Sequence, residues 1–465
     1  MIRSTARRMR TPSLLNRVSA IRDYPSSTLA VAAHERLVEL IHGWTKPQPL
    51  GKVVEVAGTV VQIAMPVGAL GDVVEIECAH GNVTAEVIGF RNQTLLAVPL
   101  SPARQLAPGA TVRLRGAMAT LPVGDALIGR LIDAFGNPLD GGPHPRCGAR
   151  VAVDAPALAV EERAEVITRF DTGVRSIDGL LTCGRGQRIG IFAGAGCGKS
   201  VLVEQIASQA DADVIVVGLV GERGREVREL MTSARRDRMV MVAATSDRSP
   251  LERVRGALAA TAIAEYFRDR GKNVLLVLDS LTRFAMALRE LGLALGEPPA
   301  TKGYPPSVFA TLPRLLERVA PREGGGSITA FYTVLVEGDD LADPVADSAR
   351  SLLDAHIILS RELAGRGHFP AVDILASASR VARKVASATM LALASSARDQ
   401  LARRRQAQEL QSLGAYNPGA NAQLDRALAI GERIDAWARQ APHEATDVDA
   451  TVRALAAALG EELIS

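Results

Sequence analysis

Residues Ala193–Ser200 read AGAGCGKS, directly after the apolar run Gln187–Phe192 and before a stretch with helical spacing. A glycine-rich turn between a buried strand and a helix lets consecutive backbone N–H groups converge on phosphate oxygens, and the helix N-terminus adds a favourable dipole. The whole turn is a candidate cradle: Ala193, Gly194, Ala195, Gly196, Cys197, Gly198, Lys199 and Ser200, with Val201 following. Lys199 is placed to reach the terminal phosphates, and the Ser200 hydroxyl to ligate Mg²⁺. Ala193 stands where such loops usually open with glycine; its methyl group is acceptable if the residue keeps a negative φ. Cys197 is expected to be a small packing residue.

Two further carboxylates follow in workable order. Asp279 closes the run Val274–Leu278 (VLLVL), where a carboxylate at the C-terminal end of a buried strand can hold the hydration shell of Mg²⁺. Glu222 lies in Val220–Arg225 (VGERGR), at the end of another apolar run. Hydrolysis needs a group that orients and polarises the attacking water, and a glutamate on a neighbouring strand's loop can do so. Its bland alternative is an exposed loop residue paired with Arg223 or Arg225.

Outward from this centre, Gln187–Phe192, Asp213–Val220, Met239–Ala243, Val274–Leu278, Ile328–Val334 and His356–Leu359 are short apolar runs separated by helix-period segments or loops. That pattern predicts a mainly parallel sheet covered on both faces. Upstream, Val53–Val56, Val73–Ile76, Thr84–Ile88, Thr94–Val98 and Thr111–Leu114 are β-branched runs between Gly, Pro and Asn turns, as in a small antiparallel barrel. Phe90 is the only aromatic residue between Gly51 and Gly116, which argues against a base-stacking nucleic-acid platform. Downstream of Val381 the spacing is helical: Ala427, Ile430, Ile434 and Trp437 form one stripe, and Val448, Val452, Leu455 and Leu459 another, with Asp447 as N-cap. The organisation expected is an arm and helix over 1–48, a barrel over 49–118, an α/β core over 119–382 and a helical domain over 383–465.

Composition excludes several classes. The 465 residues are 47% hydrophobic and 23% charged with a net charge of +3, which gives no concentrated basic surface for a nucleic-acid partner. Aromatics are 3%, so the core must be aliphatic. The four cysteines show neither CxxC pairs nor metal-ligand spacing, and a reducing, cytoplasmic compartment fits them best. No run is long and apolar enough to span a bilayer, and no secretory signal is visible. Arg3, Arg7, Arg8, Arg10, Arg17 and Arg22 precede the first acid, Asp23, leaving three readings open: a solvated tail, an arm drawn to anionic lipid or a partner, and a transit peptide. Ala33, Leu37, Leu40, Ile41 and Trp44 read as an amphipathic helix that packs either on a partner or on its own chain.

Taken with Ser176–Gly184 (SIDGLLTCG), Gly221–Arg223 (GER), Tyr304–Leu316 (YPPSVFATLPRLL) and Gly414–Tyr416 (GAY), these motifs resemble the ATPases of type III protein secretion and flagellar export, a family similar to the catalytic subunit of rotary ATP synthases. The resemblance runs from about Gly51 to the C-terminus. It implies a RecA-like P-loop ATPase core between an N-terminal small β-barrel and a C-terminal helical domain, with ATP and Mg²⁺ bound. It implies that Lys199 and Ser200 hold phosphate and magnesium, that Asp279 is the Walker B aspartate, and that Glu222 is the catalytic glutamate with Arg223 beside it. Arg380, in Ser377–Arg380 (SASR), matches an arginine finger reaching into a neighbouring subunit's site, and Phe369 (in FPAVD) the aromatic that packs on adenine. Tyr416 is a weaker match for that task and is expected to pack in the helical domain.

The resemblance further implies a homo-oligomer, a hexamer, working with stator and central-stalk proteins and chaperone–substrate complexes at the cytoplasmic face of the inner membrane. Rotary synthases alternate two related chains; here Glu222 and Arg380 sit on one chain, which permits a ring of identical copies. Thr182-Cys183 and Cys197 look more like injectisome than flagellar members. Competing functions are a rotary synthase subunit, a nucleic-acid translocase resembling the transcription terminator Rho, and an assembly subunit that binds nucleotide without turnover.

Overall fold

The computed structural model describes residues 49–462 apart from 80, 101–105, 118–119, 232–235, 337, 339 and 418, and apart from the side chains of 117, 229 and 230. The basic stretch Arg3–Arg22 and the helix expected around Ala33–Trp44 lie outside the described residues.

Strands β1 (Leu50–Ala57), β2 (Val60–Ala64), β3 (Asp72–Ile76), β4 (Val83–Arg91), β5 (Thr94–Pro99) and β6 (Thr111–Ala117) form a closed barrel in the order β1-β2-β5-β4-β3-β6. Closure leaves a single dry interior, filled by Val53, Val61, Ile63, Val74, Ile76, Val87 and Val112. Strand β2 is not among the expected runs. It follows β1 after only a two-residue turn, in which Gly58 takes φ +59°, so the pair reads in sequence as one stretch.

Two short ribbons, β7 (Thr120–Val123) with β9 (Ala149–Ala152) and β10 (Arg169–Phe170) with β11 (Cys183–Gly184), flank the main sheet. That sheet comprises β8 (Leu131–Ile132), β12 (Arg188–Ala193), β13 (Val214–Val220), β14 (Met239–Ala244), β15 (Asn273–Asp279), β16 (Ser327–Leu335), β17 (Ala355–Ile358) and β18 (Ala378–Ser379). The order is β18-β17-β12-β16-β15-β13-β14-β8, and only the β17–β18 pair is antiparallel. All six expected core strands lie in it. The added edges, β8 and β18, are two residues each and carry too little pattern to be read.

Strands β13 and β14 are buried along their full length, as a sheet covered on both faces requires. The helix Pro250–Arg268 lies against β13 and β15. Ser249 caps it by accepting from the Glu252 N–H at 3.1 Å, and Pro250 opens its first turn. Its alanines, including Ala257, Ala260 and Ala264, are fully buried and let it lie close to the strands. The barrel is fixed to the core through Arg91, which donates to the Leu295 carbonyl at 2.8 Å, and through Arg255 of the core helix, which lies 3.8 Å from the Glu86 carboxylate on β4.

Helices Ala388–Ser412, Ala422–Ala438 and Val448–Leu459 form the C-terminal domain. The stripe Ala427, Ile430, Ile434 and Trp437 is buried, and Asp447 caps the last helix by accepting from the Ala450 N–H at 2.6 Å. Among the described residues no helix is long and apolar enough to cross a membrane.

One buried ion pair ties the core's outer layer together. Arg318 is 1% exposed; it donates to both oxygens of Glu265 at 3.0 and 2.5 Å and to the Val153 carbonyl at 2.8 Å. Removing one partner strands the other charge in a dry site. Glu265→Ala is expected to destabilise the core by about 3–5 kcal/mol in urea denaturation, and joint replacement with Arg318→Met by less.

Candidate functional site

The parallel register sets the site. Asp279 closes β15 opposite Leu219 of β13, and Leu278 is opposite Tyr332 of β16, so the C-terminal ends of β12, β16, β15 and β13 are level. Ligands in such sheets bind beyond the strands' carboxyl ends. The loop Gly194–Gly198 follows β12, and Lys199 opens the helix Lys199–Gln209. Ala193 is the last residue of β12 and keeps a negative φ, so its methyl group costs nothing there. Gly196 and Gly198 take φ +81° and +83°, the left-handed region that only glycine enters freely. Cys197 is buried in the core, Ala195 and Gly196 are exposed, and Ser200 and Val201 are exposed on the first turn of the helix.

Three charges meet here. The Lys199 ammonium donates to Asp279 Oδ1 and lies 3.8 Å from Glu222 Oε1. Asp279 Oδ1 also accepts from the Thr333 hydroxyl at 2.5 Å. Asp279 is 4% and Glu222 6% exposed. Glu222 is therefore not the surface partner of Arg223 or Arg225: it faces Lys199, and its Oε1 accepts no hydrogen bond. Burial pushes its carboxyl up to about 7; Lys199 pulls against that, and the negative charges of Asp279 and Glu226 add to it.

Arg223 is exposed, and its carbonyl accepts from the N–H groups of Glu226 and Val227 at the start of the helix Gly224–Leu230. Phe369 is 41% exposed and lies over the loop: a Cβ built on Gly198 would sit 3.1 Å from its ring. Tyr416 is elsewhere, donating to Asp425 at 2.5 Å within the helical domain. Arg380 is also remote from the loop of its own chain. It follows β18, where Ser379 pairs with Ala355, which pairs with Ile189, and its N–H donates to the Asp354 carbonyl at 3.0 Å. That places it level with the start of β12, about five rows or roughly 17 Å from the phosphate loop along the strands.

Two residues of the site escape a reading by motif. Thr333 holds Asp279 in place; it is one of four hydroxyl residues in the buried strand β16, with Ser327, Thr329 and Tyr332, so nothing in the sequence singles it out. Arg283, in the first turn of the helix Leu281–Leu295, lays its stem against Gly221 and its charge lowers the Glu222 proton affinity. A pocket of about 650 Å³ opens beside the loop, lined in part by Ala193, Ala195, Thr282 and Arg283.

The residues fit a nucleotide phosphate with a divalent cation. A largely buried lysine lies between two carboxylates, one of which has an oxygen without a hydrogen bond, and the glycine turn beside them has exposed backbone. Ser200 and Asp279 are the residues that would hold Mg²⁺.

Three family models match the chain: the ATP synthase alpha/beta family nucleotide-binding domain over residues 173–379, the beta-barrel domain of the same family over 53–116, and the T3SS EscN ATPase C-terminal domain over 386–457. The flagellum-specific ATP synthase of Bacillus subtilis (strain 168) is 43% identical over 92% of this chain and 99% of its own length. The type 3 secretion system ATPase of Pseudomonas syringae pv. syringae is 45% identical over 87% of this chain and 92% of its own. Among solved structures, the assembled ATPase EscN from the enteropathogenic E. coli type III secretion system superimposes with a TM-score of 0.83, at 41% identity over 88% of this chain and 100% of that one.

The pH dependence of the site follows from burial. With the Glu222 carboxyl at about 7 in the free protein, a water-orienting carboxylate is present above that pH and lost as pH falls through it. The profile of kcat/KM for ATP is expected to show an acid limb near pH 7. Glu222→Gln is expected to abolish that limb and to lower the rate by about 10²–10⁴.

Proposed function

We propose, from the premise that this chain belongs to the family of type III secretion and flagellar export ATPases, that it is the ATP-hydrolysing motor of an export apparatus and works as a ring of identical copies. The observation that carries the reading is the cluster of Lys199, Asp279, Thr333 and Glu222 at four adjacent strand ends beside a glycine loop.

Lys199 exchanges its bond to Asp279 for the terminal phosphates of ATP, and the loop N–H groups hold the rest of the chain of phosphates. Ser200 and the released Asp279 would hold Mg²⁺, which would supply charge neutralisation at the phosphates. Glu222, raised in proton affinity by burial, orients and polarises the attacking water. Phe369 offers the adenine a flat face above Gly198. Arg223, exposed beside Glu222, faces solvent where a neighbouring copy could meet it.

Arg380 cannot span the distance to its own loop, so its guanidinium serves the site of a neighbour. There it stabilises charge developing on the γ-phosphate, an effect worth about 10³–10⁵ in rate. Each chain carries both Glu222 and Arg380, so identical copies complete every site and no dissimilar subunit is required. This favours an export motor over a rotary synthase subunit, with a hexamer as the assembly. EscN has also been solved in complex with its central stalk EscO, at a TM-score of 0.80 to this chain, which supports a stalk protein as partner here. Release of chaperones, unfolding of export substrates, a stator partner and a place at the cytoplasmic face of the inner membrane complete the reading. Flagellar and secretion relatives match at similar identity, 43% and 45%, so an injectisome role rests on Thr182-Cys183 and Cys197 alone.

Turnover per chain is expected to rise with protein concentration and to fall by about 10³–10⁵ in Arg380→Ala at every concentration. Mixing Arg380→Ala with Glu222→Gln chains is expected to restore activity that neither has alone. Turnover independent of dilution, with no recovery on mixing, contradicts a shared site.

A further inference from the structure

Among the ties between the core and the C-terminal helices, one short loop reaches the nucleotide end. This is the connection between helices Ala422–Ala438 and Val448–Leu459, and it docks on three core segments at once. Gln209, the last residue of the phosphate-loop helix, donates to the Pro442 carbonyl at 2.9 Å. Arg175 donates to the Arg439 carbonyl at 3.0 Å and pairs with Glu444. The Gln440 N–H donates to the carbonyl of Phe369 at 3.0 Å.

Gln440 is the centre of this junction. It is 4% exposed, and its amide is fully used: Oε1 accepts from the Arg175 N–H at 2.9 Å, while Nε2 donates to the carbonyls of Gly173 and Glu444, both at 2.7 Å. A buried amide with both faces satisfied is a rigid joint, since breaking it leaves a donor and two acceptors unpaired in a dry site. The Phe369 ring, by contrast, is 41% exposed and rests on the edge of Gly198. A half-exposed ring follows its backbone, and the backbone at 369 is held by the Gln440 N–H on one side and by the His368 N–H, which donates to the Leu363 carbonyl at 3.0 Å, on the other.

We propose that Gln440 is a positioning residue for nucleotide binding: through its backbone bond to Phe369 and its side-chain bonds to Gly173, Arg175 and Glu444, it fixes the aromatic face that meets the base. The C-terminal domain thereby sets base affinity from outside the phosphate site. This rests on the reading of Phe369 as the base contact.

The test compares the full chain with its Gln440→Ala, Gln440→Glu and Phe369→Ala variants in equilibrium binding of the β,γ-imido analogue of ATP and of inorganic pyrophosphate, each with Mg²⁺. Gln440→Glu keeps the shape and the acceptor for Arg175 but turns an oxygen toward two carbonyls, so it provides a second probe if the alanine variant folds poorly. Both Gln440 variants and Phe369→Ala are expected to weaken the analogue about 5- to 10-fold and to leave pyrophosphate within about twofold. Equal losses for both ligands in the Gln440 variants would mean a general structural defect and overturn the proposal. A loss confined to Phe369→Ala would overturn it while leaving the base contact standing. Unchanged analogue binding in Phe369→Ala would remove the base contact itself, and the proposal with it.

Discussion

A lysine held between two buried carboxylates governs this structure. Charges removed from water are costly unless paired and hydrogen-bonded, and Lys199, Asp279 and Glu222 are all largely buried. Lys199 and Thr333 satisfy Asp279, but Glu222 is left with a long contact and an oxygen that accepts nothing. The protein thus keeps an incompletely matched set of charges where a polyphosphate and a divalent cation would complete it. Parallel strand register makes this arrangement possible, because it brings four strand ends level without any long loop having to order itself.

Each layer around that centre has a physical reason to be where it is. The fully buried strands β13 and β14 need helices on both faces, and the alanine-rich helix Pro250–Arg268 supplies one at close range. The barrel closes its own edges, which removes the unpaired strand groups that an open sheet would expose. The C-terminal helices bury their apolar stripes against each other and against the segment Arg175–Leu180, so they share a core with the nucleotide-binding sheet rather than hanging from it.

The main strands and the phosphate loop were legible in sequence because both depend on local pattern. Short apolar runs between turn and helix signals mark buried strands, and AGAGCGKS needs only its own glycines to form its turn. The two-residue edges β8 and β18 were not legible, since pairing with a neighbour creates them and their own pattern does not. Glu222 could be named but not its surroundings: its proton affinity comes from the meeting of β12, β13 and β15, which lie far apart in the chain. Thr333 and Gln440 are harder still. A threonine in a β-rich strand and a glutamine after a helix have no marking until the fold brings Asp279 to one and Gly173 to the other, 54 and 267 residues away.

The central claim is that Lys199 gives up Asp279 for the terminal phosphates while Glu222 stays over them. Its most direct measurement is a crystal structure of the chain with Mg²⁺ and a non-hydrolysable ATP analogue. The account predicts the Lys199 ammonium within hydrogen-bond distance of the β- and γ-phosphate oxygens, Asp279 turned to the metal's water shell, and the Glu222 carboxylate facing the γ-phosphate across a water. A nucleotide bound away from Ala193–Ser200, or Lys199 still on Asp279 with Glu222 turned aside, would contradict it.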